Sequence, residues 1–176
     1  KISGIKLCES YNRQYGTHYR SVMPTNLYVP RDKIHPQNSH VIPALMRRIH
    51  QAKIDGDQQL DHSCTGETRR EFLYVDEMGG ACIHVMELGE DAYAQQTLPM
   101  QSQINICAGE DVTIRRLAEL IGATVGYRGE LLFDAGRPDG HPRKLLDVAK
   151  LEKLGWQATT SLEEGLHKTY EWFLQH

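Results

Sequence analysis

No stretch of the 176 residues is apolar for long enough to cross a bilayer. No excess of positive charge marks a surface for nucleic acid or anionic lipid either. Lys and Arg number 20 against 23 Asp and Glu, a formal net charge of -3, which argues against both partners. Cysteine is sparse: Cys8, Cys64, Cys82 and Cys107 form no C-x-x-C and adjoin no paired histidines. Reduced thiols in a cytoplasmic protein are therefore expected, with no disulfide and no metal. Neither G-x-G-x-x-G nor G-x-x-x-x-G-K-[ST] occurs, so the chain has no recognisable phosphate-cradling turn of its own. H-E-x-x-H, G-x-S-x-G, internal repeats and low-complexity tracts are missing too, and no close carboxylate pair stands out. The opening KISGIKLCES lacks the layout of a signal peptide.

What is present alternates between helical and extended signals, the pattern of an α/β protein. Ile2, Ile5, Cys8, Tyr11 and Tyr15 recur at helical spacing and Gly16 supplies a stop, which predicts a helix already in stride at residue 1. Residues 19–23 read as a short strand, followed by the loop P-T-N-L-Y-V-P at 24–30. Asn38 or Ser39 can cap a helix running to about Lys53, with Ile42, Leu45, Met46 and Ile49 inward. Residues 55–66 give no clear signal. Residues 71–75 read as a strand, and 76–88 as a helix apolar on most sides and so buried. After a loop to Met100, a strand is expected at 103–106, an amphipathic helix at 113–125 and a strand at 130–134. A loop at 135–144 and a short helix at 147–154 follow. The last helix opens on the capping box Ser161-Leu-Glu-Glu164 and turns Leu162, Leu166, Tyr170 and Phe173 inward.

Three segments, in this order, resemble the extended short-chain dehydrogenase/reductases that act on nucleotide sugars: Arg70-Glu71-Phe72-Leu73-Tyr74-Val75-Asp76-Glu77, Asn105-Ile-Cys-Ala-Gly109 with Thr113-Ile114 and Leu117, and Asp147-Val with Leu151 and Leu154-Gly155-Trp156. SGIKLCESYNRQYG at 3–16, HPQNSHVIPAL at 35–45 and RPDGHPRKLLDV at 137–148 narrow the resemblance to the GDP-L-fucose synthase family. It implies the C-terminal part of a Rossmann-type parallel sheet plus a small α/β substrate-binding domain, interleaved over residues 1–176. The N-terminal dinucleotide-binding half is then expected to lie outside this chain. The family converts GDP-4-keto-6-deoxy-D-mannose to GDP-L-fucose, epimerising C3 and C5 and then reducing C4 with NADPH. The complete enzyme is expected to be a cytoplasmic homodimer with a GDP-sugar substrate and no nucleic-acid or membrane partner.

The resemblance assigns roles residue by residue. Lys1 falls on the lysine that depresses the pKa of a tyrosine one turn earlier and holds the nicotinamide ribose. His40 falls on the acid/base histidine of the epimerisations, which also borders the cofactor. Asn26 and Leu27 fall on the turn that meets the nicotinamide end of NADP. Arg48, Arg70 and Lys144 fall on the cationic positions that bind GDP, with Arg48 about 12 Å along the helix from His40. Guanidinium suits a diphosphate because its planar fork donates in pairs.

Some positions depart from the family pattern. Val29 stands where glycine gives freedom at positive φ, Ser63 replaces an aromatic that packs on the nucleotide sugar, Cys107 stands at a usual glycine, and residues 58–62 do not read as the expected strand. Three readings stay open for the chain by itself: one part of a complete synthase, inactive alone; a non-catalytic GDP-sugar-binding module; or an inert remnant. Residues 19–23 are expected to pair in parallel near Val75 or to stay an exposed edge. The apolar face of the first helix, left uncovered, is expected to make the chain marginally stable and prone to association.

Overall fold

The computed structural model of the protein describes residues 1–32, 39–136 and 140–175. The described helices are α1 (Ile2–Tyr15), α2 (Val41–Asp55), α3 (Val75–Glu87), α4 (Glu90–Gln96), α5 (Ile114–Val125), α6 (Ala149–Lys153) and α7 (Leu162–Gln175). The strands are β1 (Val22–Pro24), β2 (Asn26–Tyr28), β3 (Gln59–His62), β4 (Arg69–Arg70), β5 (Phe72–Tyr74), β6 (Ile104–Ile106), β7 (Val112–Thr113), β8 (Glu130–Phe133) and β9 (Arg143–Lys144). Parallel pairs dominate: β1 with β6, β2 with β5, β3 with β8, and β9 with β4, while β7 lies antiparallel on the other edge of β4.

The apolar stripes of α2, α5 and α7 converge on one core, which contains Ile42, Leu45, Met46 and Ile49, Leu117 and Ile121, and Leu166 over Tyr28. A second core joins Leu73, Ala81, Val85, Ile104, Ile106 and Leu151. Strand β5 separates the two. Its side chains alternate, so Phe72 and Tyr74 enter the first core and Leu73 the second. That is why the run F-L-Y is apolar without a polar face. Full burial of each large aliphatic side chain contributes about 1.5–3 kcal/mol, so α2, α5 and α7 are held by packing rather than propensity.

Several expectations need correction. Residues 22–24 pair with β6, not with a strand near Val75. The polar segment at 59–62 is a strand because β8 lies alongside it in register from Gln59↔Glu130 to His62↔Phe133. Tertiary pairing overrides its weak β-propensity there. The loop before Met100 contains α4, and the 135–144 loop contains β9. The α3 helix is not buried on most sides: Ile83 is 58% and Met86 75% exposed. The N-cap residue of α2 is His40 rather than Ser39, and Asn38 lies outside the described residues. Positive φ falls on Arg31 (φ 75), not on Val29, so a β-branched side chain at 29 carries no left-handed strain. On α1, Ile2, Leu7, Tyr11 and Tyr15 are exposed, and buried Glu9 ties the helix to the chain beyond α4 by accepting from Ser102 N at 2.9 Å and Ser102 Oγ at 3.1 Å.

Candidate functional site

The extended stretch 22–28 changes partners in its middle. Its first half runs beside β6 and its second beside β5, and Thr25 is the joint. The Thr25 amide donates to Ile106 O at 3.0 Å, its hydroxyl to Glu71 O at 3.4 Å, and Asn26 Nδ2 to the same carbonyl at 2.8 Å. Where neighbouring strands diverge a crevice opens. Here it is a cleft of about 1270 Å³. The N-terminal end of α1 (Lys1), the turn residues Asn26 and Leu27, the entry of α2 (His40) and the edge strands carrying Arg70 and Lys144 all line it. Six of the seven residues singled out from the sequence thus share one cavity. Arg48 is the exception: it is absent from the cleft wall and donates to the backbone carbonyl of Asp61 on β3.

The cationic wall has a simple origin. In register, Arg69 lies opposite Arg143 and Arg70 opposite Lys144. Successive strand residues face opposite sides, so the two pairs part company. Arg69 and Arg143 close on the Asp111 carboxylate, at 2.7 Å and 2.5 Å. These two guanidiniums, Arg69 first, hold the Asp111 carboxyl below the ordinary carboxylate range. Arg70 and Lys144 line the cleft, and like charges directly opposite each other repel. Among the described residues lining the cleft, Lys1, Arg70 and Lys144 are cationic and none is a carboxylate. The wall is otherwise largely apolar, with Ile5, Val22, Ile42, Phe72 and Ile114. Such a cavity suits a ligand with an anionic end and a less polar body.

His40 is 78% exposed at its side chain, and its Nδ1 lies 3.2 Å from Asp32 Oδ2. Two organising residues escaped the sequence reading. Glu71 is fully buried, and its carboxylate accepts from Gly109 N at 2.8 Å and Leu146 N at 3.3 Å. One residue thereby ties Asn26, through its carbonyl, to the segment that carries Lys144. Asp111 is the other. The acidic residue in the R-E-F signature pointed to Glu71; nothing local pointed to Asp111, because both its partners are remote in sequence. At the positions that depart from the family pattern, burial pushes the Cys107 thiol up to about 12, and Ser63 is exposed. The four cysteines are free thiols.

A family model described as NAD dependent epimerase/dehydratase family matches residues 1–106. The chain belongs to that family. Among curated epimerase/dehydratase relatives, it is 57% identical over 176 residues to a GDP-L-fucose synthase of Escherichia coli (strain K12), covering 100% of this chain and 55% of the relative. It is 47% identical to GDP-L-fucose synthase 1 of Arabidopsis thaliana, covering 100% of this chain and 52% of that one. The chain thus spans about half the length of the curated relatives it matches. Among solved structures, a GDP-D-glycero-L-gluco-heptose synthase from Campylobacter jejuni, in the presence of NADPH, superposes with a TM-score of 0.86 at 29% identity, over 100% of this chain and 58% of that one. A GDP-L-fucose synthetase from Naegleria fowleri bound to NADP gives 0.81 at 25%, over 97% and 53%.

Lys1, Asn26 and Leu27 border the cleft, and the sequence contains neither G-x-G-x-x-G nor G-x-x-x-x-G-K-[ST]. No helix of the described residues is long and apolar enough to cross a membrane.

Proposed function

We propose that the chain supplies the nucleotide-sugar side of a GDP-L-fucose synthase and does not catalyse the reaction alone. On this reading the β1–β6 core belongs to the late Rossmann elements, and the α2–α5–α7 core to the interleaved substrate domain. Arg70 and Lys144 take the diphosphate of the GDP-sugar. His40 serves as proton donor and acceptor at the sugar carbons beside the ketone, where the enolate makes the C–H acidic. Lys1 and the Asn26–Leu27 turn face the nicotinamide end of NADP. Arg48, turned to β3, has no place at the diphosphate in this conformation. The exposed apolar face of α1 accords with a helix that pairs with a second subunit of a cytoplasmic homodimer.

The observation that carries this reading is the cleft itself, with three cations and no carboxylate among its described lining residues. Titration calorimetry of the chain with GDP tests it. GDP is expected to bind, and Arg70→Ala or Lys144→Ala to weaken it by about tenfold or more, the worth of a hydrogen bond to a charged group. NADP is expected to show no micromolar binding, because the sequence has no glycine-rich motif to cradle its pyrophosphate. GDP binding that is absent, or indifferent to both substitutions, refutes the assignment.

A further inference from the structure

We propose that Asp32 is the positioning residue of the cleft histidine, holding His40 as the Nδ1–H tautomer and leaving Nε2 bare. The inference rests on the acid/base reading of His40 given above. A neutral imidazole has one donor and one acceptor nitrogen, and an ionised carboxylate only accepts. Contact between Nδ1 and Asp32 Oδ2 at 3.2 Å therefore assigns the proton to Nδ1.

The carboxylate is the anchored partner, since the Asp32 side chain is 15% exposed against 78% for His40. A tight turn places it there: the Asp32 amide donates to Val29 O at 3.3 Å. Pro30 fixes the first corner and Arg31 takes the second at φ 75, the one positive φ at a non-glycine among the described residues. That position of such a turn favours Gly or Asn, and an arginine persists there only where its surroundings dictate the geometry. The surroundings are present. Val29 and Asp32 border a small recess with Met46 of α2 and Trp172 and Phe173 of α7.

The charged groups on the cleft wall beside His40 are Lys1 of α1, Arg70 of β4 and Lys144 of β9, all cations. Asp32 supplies the opposite charge. A proton leaving a carbon acid moves to the Nε2 lone pair, and its bonding electrons stay on the enolate. The resulting imidazolium is stabilised by Asp32 until Nε2 gives up that proton, the logic of an oriented base.

Long-range proton–nitrogen NMR of the ligand-free chain, in mildly alkaline buffer where imidazoles are neutral, reads the tautomer directly. The His40 signal is identified by its loss in His40→Gln. The parent chain is expected to show His40 mainly as Nδ1–H, and Asp32→Ala to lower the Nδ1–H to Nε2–H ratio by about tenfold, as loss of a charge-assisted hydrogen bond requires. Asp32→Asn, which keeps an acceptor oxygen without charge, falls between. His50, whose Nδ1 lies 2.9 Å from Tyr170 Oη, reports whether the fold survives. A parent His40 that is mainly Nε2–H overturns the proposal, whether or not Asp32→Ala folds. So does an unchanged ratio in Asp32→Ala with His50 undisturbed. No nucleotide enters the measurement, so failure of GDP binding and failure of this inference are separate results.

Discussion

Replacing Gly165 by alanine sets two known effects against each other. In the interior of α7 the substitution removes backbone freedom from the unfolded chain, a gain of roughly 0.5–1 kcal/mol. The added Cβ, however, meets the ring of Tyr28: 2.0 Å from Oη, 2.8 Å from Cζ and 2.9 Å from Cε2. Tyr28 is 2% exposed, and its ring is packed edge-on against Tyr74 with centroids 5.6 Å apart. The ring therefore has nowhere to retreat without moving β2 or opening the core. Overpacking of this kind costs about 1–3 kcal/mol, so the net effect at central values is a loss of about 1 kcal/mol, rising to about 2.5 kcal/mol where the core yields least. For a chain of this size the central loss lowers Tm by roughly 2–4 °C. Urea unfolding followed by circular dichroism measures it. Tyr28→Phe, which deletes the oxygen at 2.0 Å, is expected to recover part of the loss in the double variant, a coupling of order 1 kcal/mol. An alanine variant more stable than its parent would show that the ring accommodates the methyl, and the packing argument fails.

Two further expectations concern charge. Burial, with Arg48 beside it, lowers the His62 imidazole to about 4 from its ordinary 6.5, and no hydrogen bond satisfies its Nε2. The unfolded chain then binds more protons than the folded one between those values, so stability is full above about pH 6.5 and falls as pH drops toward 4. The His62 contribution is of order 2–3 kcal/mol. His50 is shifted in the same direction by its own burial, so the comparison is with His62→Phe, which should show a shallower acid loss by urea titration across that window; equal slopes would remove His62 from the account. Asp111→Asn keeps the shape of the clamp but loses its charge. Its arginine partners are 44% and 59% exposed, so stability should fall by about 1 kcal/mol or less, while GDP affinity falls several-fold as Arg70 and Lys144 lose their fixed register. Affinity unchanged in calorimetry would show that β4 and β9 hold their places without it.

Local order was legible in the residues. The stripes of α2, α5 and α7, the stop at Gly16 and the two-sided apolar run of β5 follow from side-chain period and glycine chemistry alone. The R-E-F and N-S-H signatures named residues that meet in one cleft, although nothing in their spacing located it. The partner of each strand was decided elsewhere. Residues 59–62 look polar and become β3 because β8 arrives beside them, 71 residues later in the register. Residues 22–28 divide at Thr25 between β6 and β5, and that division opens the cleft. Asp111 and Glu71 act on groups some 30 to 75 residues away. Arg48 sits at helical spacing from His40, yet the fold turns it to β3. Periodicity records which face of an element is buried. Which neighbour covers that face, and which charges are thereby paired or left opposite one another, depends on contacts between remote segments, and these exist only in the folded chain.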